Sequence, residues 1–251
     1  GIPVIGHLQN TSWLEGLSLG VDHLAHAVDW SPKGLPQSRQ SSYQKAVRNR
    51  SGFRARIDWL EHFDPDGAEA RKLALELSRR GVSVDLTLVA YDGKFSPPGT
   101  PKYWKNPALD NFPELRQQWQ RGPQPTSDWT AEDFARWKAA WPKLLGWVSR
   151  MSQSGVLIVT GTDLTNEWVI PGESLHREFE LLAEAGLSTE KILRMTGADA
   201  AKALRRSDIG RIAVGCRADL VLLRTDPRRD IRHTRNIAWV MQGGQLVSKG
   251  H

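Results

Sequence analysis

The stretch Gly155-Val156-Leu157-Ile158-Val159-Thr160-Gly161-Thr162-Asp163 decides how this chain is read. A glycine opens it, a β-branched apolar run follows, and a carboxylate closes it. Apolar residues on both faces of 156–160 predict a strand covered on both sides, the pattern of a parallel sheet. Gly161 and Thr162 turn the chain out of that strand, so Asp163 lies just past its carboxyl end. Reactive groups collect at that end in barrels and open sheets built from parallel strands.

The same texture recurs toward the amino terminus. Residues 2–6 (Ile-Pro-Val-Ile-Gly) form a short apolar run ending at His7, and residues 21–26 (Val-Asp-His-Leu-Ala-His) form another ending at His26. Both predict strands; alternation sets His23 on the face opposite Leu24 and His26. Between them, residues 11–19 predict a short helix with Leu14 and Leu17 inward and Gly20 as its stop. Residues 31–56, rich in Ser, Gln and Arg, read as a loop or lid with a weak helix. Asp66 and Glu69 mark a helix start, Ala70, Leu73, Ala74 and Leu77 keep helical spacing, and Gly81 ends that helix. Residues 82–91 predict the third strand.

Residues 92–129 hold seven prolines and three tryptophans, and a connection of that length is usually functional or mobile. Thr130 is placed to cap a long helix carrying Phe134, Trp137, Trp141, Leu144, Val148 and Met151 in one row, bent at Pro142. Packing accounts for these tryptophans; an aromatic wall over a substrate pocket is the alternative. Past Asp163, a helix is predicted over 172–185 with Leu175, Phe179 and Leu182 inward. Ser188 caps the next, and 198–204 continue as helix. From 207 the texture changes to short strands at 211–214, 219–223, 237–242 and 245–248, with Gly243-Gly244 as a hairpin turn. The expected fold class is therefore α/β. Four strands alternating with helices over 1–206, with a Trp/Pro-rich insertion at about 92–150, make half of an eight-stranded barrel, which four strands alone cannot close. A small β domain follows over 207–251.

The chain has 251 residues, 39% hydrophobic and 25% charged, enough for a sizeable core. No run approaches the length of a membrane span, so none is expected. The net charge of +6 is diffuse and accompanies no nucleic-acid motif, so a solvated basic surface accounts for it. Cys216 is the single cysteine, which excludes an internal disulfide and a thiolate zinc cluster. The cellular compartment stays open.

His7, His26 and Asp163 thus sit at three strand ends. Two imidazoles and a carboxylate are zinc-type ligands, although imidazole also suits iron and nickel and carboxylate suits manganese. Asp163 can bind a metal, take a proton from its water, or do both, since a metal ion draws that water's pKa toward neutrality.

These residues resemble the carboxyl-terminal portion of the metal-dependent amidohydrolase superfamily, in its imidazolonepropionase-like and prolidase-like group. Gly155–Asp163 is similar to the family's eighth strand, and Pro171-Gly-Glu-Ser-Leu-His176 to the segment after it. Gly210-Arg-Ile-Ala-Val-Gly215-Cys-Arg-Ala218-Asp219-Leu-Val is similar to its closing stretch. Gly6-His7 and Gly20-Val-Asp-His-Leu-Ala-His26 resemble strands five and six. The resemblance implies the second half of a TIM-type (β/α)8 barrel with part of a small β-sandwich. It implies hydrolysis of an amide, cyclic amide or dipeptide-like bond by a metal-activated water, with one or two divalent ions, zinc above others. His7 and His26 would hold one metal, and Asp163 would be both ligand and proton shuttle. His176 would touch substrate at the pocket mouth or lie solvated on its helix. Asp219 matches a structural turn. The family's His-x-His pair and its bridging residue have no counterpart here. The alternative expectation is a catalytically incomplete fragment or subunit, completed by an amino-terminal half or a second copy.

Overall fold

The computed structural model describes residues 2–9, 11–48, 52–122 and 124–249. The chain runs β1 (Ile5–Gly6), α1 (Trp13–Ser18), β2 (His23–Ala25), α2 (Gln37–Arg48), α3 (Gly52–His62), α4 (Ala68–Arg80) and β3 (Ser83–Asp85). It continues with α5 (Leu88–Lys94), α6 (Pro101–Trp104), α7 (Pro113–Arg121), α8 (Ala131–Gln153), β4 (Leu157–Val159), α9 (Glu173–Glu184), α10 (Thr189–Thr196) and α11 (Ala198–Ala203). The last elements are β5 (Leu220–Leu223), β6 (Ile237–Gln242) and β7 (Gln245–Lys249). Strands β1 to β4 form one parallel sheet in chain order, with Ala25, Asp85 and Val159 in register across it. Strands β5 to β7 form a separate antiparallel sheet. Parallel strands joined by helices, four in number, are half of a (β/α)8 barrel.

Local sequence explains several elements directly. Thr130 and Asp133 cap α8 reciprocally, each side chain bonding the other's backbone N–H. The helix then buries Trp137, Ala140, Leu144, Trp147, Val148 and Met151. Gly81 ends α4 with φ of 65°, a conformation that glycine takes without strain. The Gly243-Gly244 turn joins β6 to β7, and the Asp219 carboxylate braces it by accepting the Gly243 N–H at 2.7 Å.

Elsewhere packing overrides the reading from sequence. Residues 31–56 are not mainly loop: α2 lies here and α3 begins here. Tyr43 on α2 donates its hydroxyl to the Trp30 carbonyl, and α3 buries Ala55, Ile57, Trp59 and Leu60. The Ser, Gln and Arg of the exposed faces hid that row. In α1 the buried residues are Trp13, Gly16 and Leu17, while Leu14 is exposed. In α9 Phe179, Leu181 and Leu182 go inward and Leu175 does not. Helix α4 begins at Ala68 behind Gly67, and Asp66 pairs with Arg150 instead of capping it. Residues 211–214 form no strand, and Ile212 and Val214 stand in solvent. Most consequential, the strand expected over 82–91 stops at Asp85, and Leu88 to Lys94 is helix.

Most of the tryptophans pack in the two cores. Trp30, Trp59, Phe63 and Trp147 join Tyr91, Phe95, Trp129 and Trp137 in one run of ring contacts, linked by Trp30 against Tyr91, within the main core. A smaller core of Tyr103, Leu109, Trp119, Trp168 and Ile170 holds the proline-rich insertion. Buried aromatics of this size dominate core energetics. Among the described residues, no helix is long and apolar enough to cross a membrane.

Candidate active site

The parallel sheet delivers four side chains to one end. His7 follows β1, His26 follows β2, Thr87 follows β3 and Asp163 follows β4. His7, His26 and Asp163 line a single pocket of about 210 Å³, together with Trp30, Phe53, Arg56, Tyr91, Lys94 and Asn166. The His7 and His26 rings meet edge to face with centroids 4.4 Å apart. His26 Nδ1 lies 3.9 Å from Asp163 Oδ2 and shares a 2.8 Å hydrogen bond with the Thr87 hydroxyl. That leaves Nε2 as the His26 nitrogen for another partner.

Burial pushes the His26 imidazole down to about 4, against the opposing pull of the Asp163 charge. At neutral pH His26 is therefore uncharged, and its approach to Asp163 is a polar contact rather than an ion pair. His26, Thr87 and Asp163 all have left-handed backbones, with φ of 74°, 49° and 56°. Non-glycine residues rarely adopt that region, and such strain gathers at functional sites.

Asp85, on β3, is a second carboxylate that the reading from sequence missed. Burial first, and then the charge of Asp163, raise its carboxyl to about 6. Its Oδ1 is buried without a hydrogen-bond partner. Gly161 leaves room for it: a Cβ there would stand 2.2 Å from Asp85 Oδ2. Asp85 lies in the middle of the apolar run 82–91, so no break in the sequence marked it as a strand end in the way Gly161-Thr162 marked Asp163. Arg56 and Lys94 were missed because both lie on helices where the sequence suggested a loop or a long connection. Lys94 bonds Asn166 Oδ1 at 2.5 Å and approaches Glu167 at 3.9 Å.

His176 is not brought to this pocket. Its Nδ1 lies 2.9 Å from Thr234 Oγ1 and its ring packs edge-on against Phe179. His23 also points away, bonded to Ser83 Oγ at 2.8 Å.

The donor chemistry suits a divalent cation: a neutral imidazole, a second imidazole, and two carboxylates, one with an orphan oxygen. Among the described residues, however, no group of three or more His, Cys, Asp or Glu side chains is arranged closely enough to hold a metal ion.

Residues 148–247 match the sequence profile of the amidohydrolase family. A comparison with curated proteins finds no match in sequence. Among solved structures, a bottromycin amidohydrolase superposes with a TM-score of 0.65 at 21% identity, over 99% of this chain and 50% of its own. Another amidohydrolase gives 0.60 at 19% identity, over 100% and 45%. A prolidase complexed with N-methylphosphonate-L-proline gives 0.57 at 21% identity, over 99% and 45%. The chain spans about half the length of these structures. It thus shares the fold of part of these structures, and residues 148–247 match the amidohydrolase family profile.

Proposed function

We propose that this chain carries the catalytic pocket of a metal-dependent hydrolase of carbon–nitrogen bonds. The observation that carries the reading is the convergence of His7, His26 and Asp163 on one pocket at the carboxyl ends of parallel strands. The family match over 148–247 supports it. A divalent cation, zinc before others, would draw ligands from among His7, His26 and Asp163, which do not form a closed ligand group by themselves, and would supply an acidified water and a polarised carbonyl.

The rest is work for the chain's own residues. Thr87 fixes the His26 ring through Nδ1, and burial keeps that ring neutral. Asp163 takes the proton of the attacking water and returns it to the leaving nitrogen. Asp85, behind Gly161, keeps a raised pKa beside the Asp163 charge, so the two carboxyls need not both ionise at mildly acidic pH. The prolidase neighbour, complexed with a proline derivative, favours a dipeptide-like amide as substrate.

Metal content and hydrolysis test this together. The purified chain should take up about one zinc ion per molecule and release acid from N-acyl amino acids, and His26→Ala should lose both. A wild-type chain that binds no zinc and hydrolyses none of them would refute the proposal as it stands for this chain alone.

A second reading rests on a separate observation. No closed ligand group forms among the described residues, and the chain spans half of its structural neighbours. On this reading, another polypeptide segment supplies the remaining strands and ligands. Zinc uptake and turnover appearing only when such a segment is added would favour it.

A further inference from the structure

A second cavity, of about 270 Å³, is lined by residues of α1, α3, α4 and α8 and by the segment after β2, and it shares no lining residue with the pocket of His7, His26 and Asp163. Three aromatic rings form one corner of it. Trp59 and Phe63 stack with centroids 4.7 Å apart, and Trp147 meets Phe63 edge to face at 5.7 Å. Both indole N–H groups are already used, Trp59 on the Ser31 carbonyl at 2.9 Å and Trp147 on the Ala27 carbonyl at 3.0 Å. The rings therefore offer a ligand π surface and no further hydrogen bond.

Asp29 lines the same cavity and is only 8% exposed. Its oxygens accept backbone N–H groups, Oδ2 from Trp13 at 3.1 Å and Oδ1 from Ser31 at 3.0 Å. Among the described residues, no lysine, arginine or histidine pairs with it. Burial holds its carboxyl above the usual range against the pull of those amides, and the Glu15 charge adds to the rise. A carboxylate buried without a counter-ion costs stability, and a cation entering the cavity would offset that cost. Glu15 is matched by Lys33 at 2.6 Å, and the exposed Glu69 adds a further negative charge to the lining. Three carboxylates thus stand against one lysine here, in a chain whose net charge is +6.

We propose that this cavity binds an organic ammonium ion, its apolar body against Trp59, Phe63 and Trp147 and its charge on Asp29. An ammonium beside an aromatic face gains from the ring quadrupole as well as from the carboxylate. A neutral ligand of the same shape leaves the Asp29 charge unmet, so the cavity discriminates by sign. The site stands apart from the hydrolase reading, yet one segment serves both cavities. Trp30 lines the His26 pocket and packs edge-on against Trp59 at 5.3 Å, while its neighbour Asp29 lines this one.

A matched pair of small ligands tests it. Benzylammonium and benzyl alcohol are close in shape and differ in charge at neutral pH. NMR titration of the full, metal-free chain should show the ammonium binding at least about tenfold tighter than the alcohol. Asp29→Asn should bring the two within about twofold of each other. Leu73 lines the cavity and is half-buried; Leu73→Trp fills that space and should weaken ammonium binding at least about tenfold. Amide dispersion in the same spectra identifies a variant that has lost its packing, and Leu73→Trp together with the wild-type comparison decides the matter if Asp29→Asn has. Equal binding of the two ligands by the wild-type chain, or no saturable binding of either, would overturn the proposal. So would a gap that survives in natively packed Asp29→Asn, or undiminished binding to natively packed Leu73→Trp.

Discussion

Asp163 concentrates two costs in one residue. Its backbone is left-handed with φ of 56°, and its charge raises the neighbouring Asp85 carboxyl. Both costs oppose folding, and the proposed reaction needs the carboxylate. Asparagine tolerates the left-handed region about as well as aspartate and carries no charge. In metal-free chain at pH 7, Asp163→Asn should therefore raise stability by roughly 0.5–1 kcal/mol, the order of a like-charge contact at a part-exposed site, while hydrolysis is lost. Urea unfolding after chelation checks the first half and turnover the second. A lowered unfolding midpoint would show that the Asp163 carboxylate stabilises the fold. At this scale the sequence was informative where a polar residue ended an apolar run, as at His7, His26 and Asp163. It was silent on Thr87, whose role depends on a φ that nothing in Leu86-Thr87-Leu88 announces.

The turn at Thr87 is explained by a residue far along the chain. Helix α5 starts there with no side-chain cap of its own. Its orphan Val89 N–H donates instead to Glu178 Oε2 on α9, at 2.7 Å. An acidic group at a helix start satisfies free amides and meets the favourable end of the helix dipole. The apolar run 82–91 could not show that its second half would be helix, because the cap comes from α9. The same holds for α3, whose buried row became visible only once Trp147 and Phe63 packed beside it. By contrast the capping box at Thr130 and the stop at Gly81 are local, and both were legible.

Glu178 is fully buried, and burial pushes its carboxyl up to about 8 against the downward pull of the α5 amides. An acid whose folded pKa exceeds its unfolded one stabilises the fold fully only at low pH. Between its unfolded value of 4.5 and about 8 the folded chain holds a proton that the unfolded chain has lost. Stability from this group therefore falls as pH rises, by about 1.4 kcal/mol per unit. Glu178→Gln keeps an acceptor for Val89 and cannot ionise. The stability difference, variant minus wild type, should climb steadily from pH 5 to 7.5 at about that slope. A difference that stays flat would mean that Glu178 is ionised in the folded chain.

At the scale of the whole molecule, the parallel sheet has two edges, β1 and β4. Along β1 the apolar side chains Ile2, Val4 and Ile5 are 91%, 52% and 69% exposed. Barrels have no edges, and an uncovered apolar edge is a template for pairing with another chain. The candidate site stands at the end of this sheet, so whatever pairs with β1 also lies beside His7. The isolated chain should accordingly associate as its concentration rises, seen as an increasing sedimentation coefficient. Ile5→Lys places a charge on the edge, the device by which natural sheets block such pairing, and should return the chain to a single slow species. Its substituted side chain is already in solvent, so folding should be unaffected by circular dichroism. A wild-type chain that sediments as a monomer over the whole concentration range would show that β1 needs no partner. The site would then have to work with the ligands that the four strands already present.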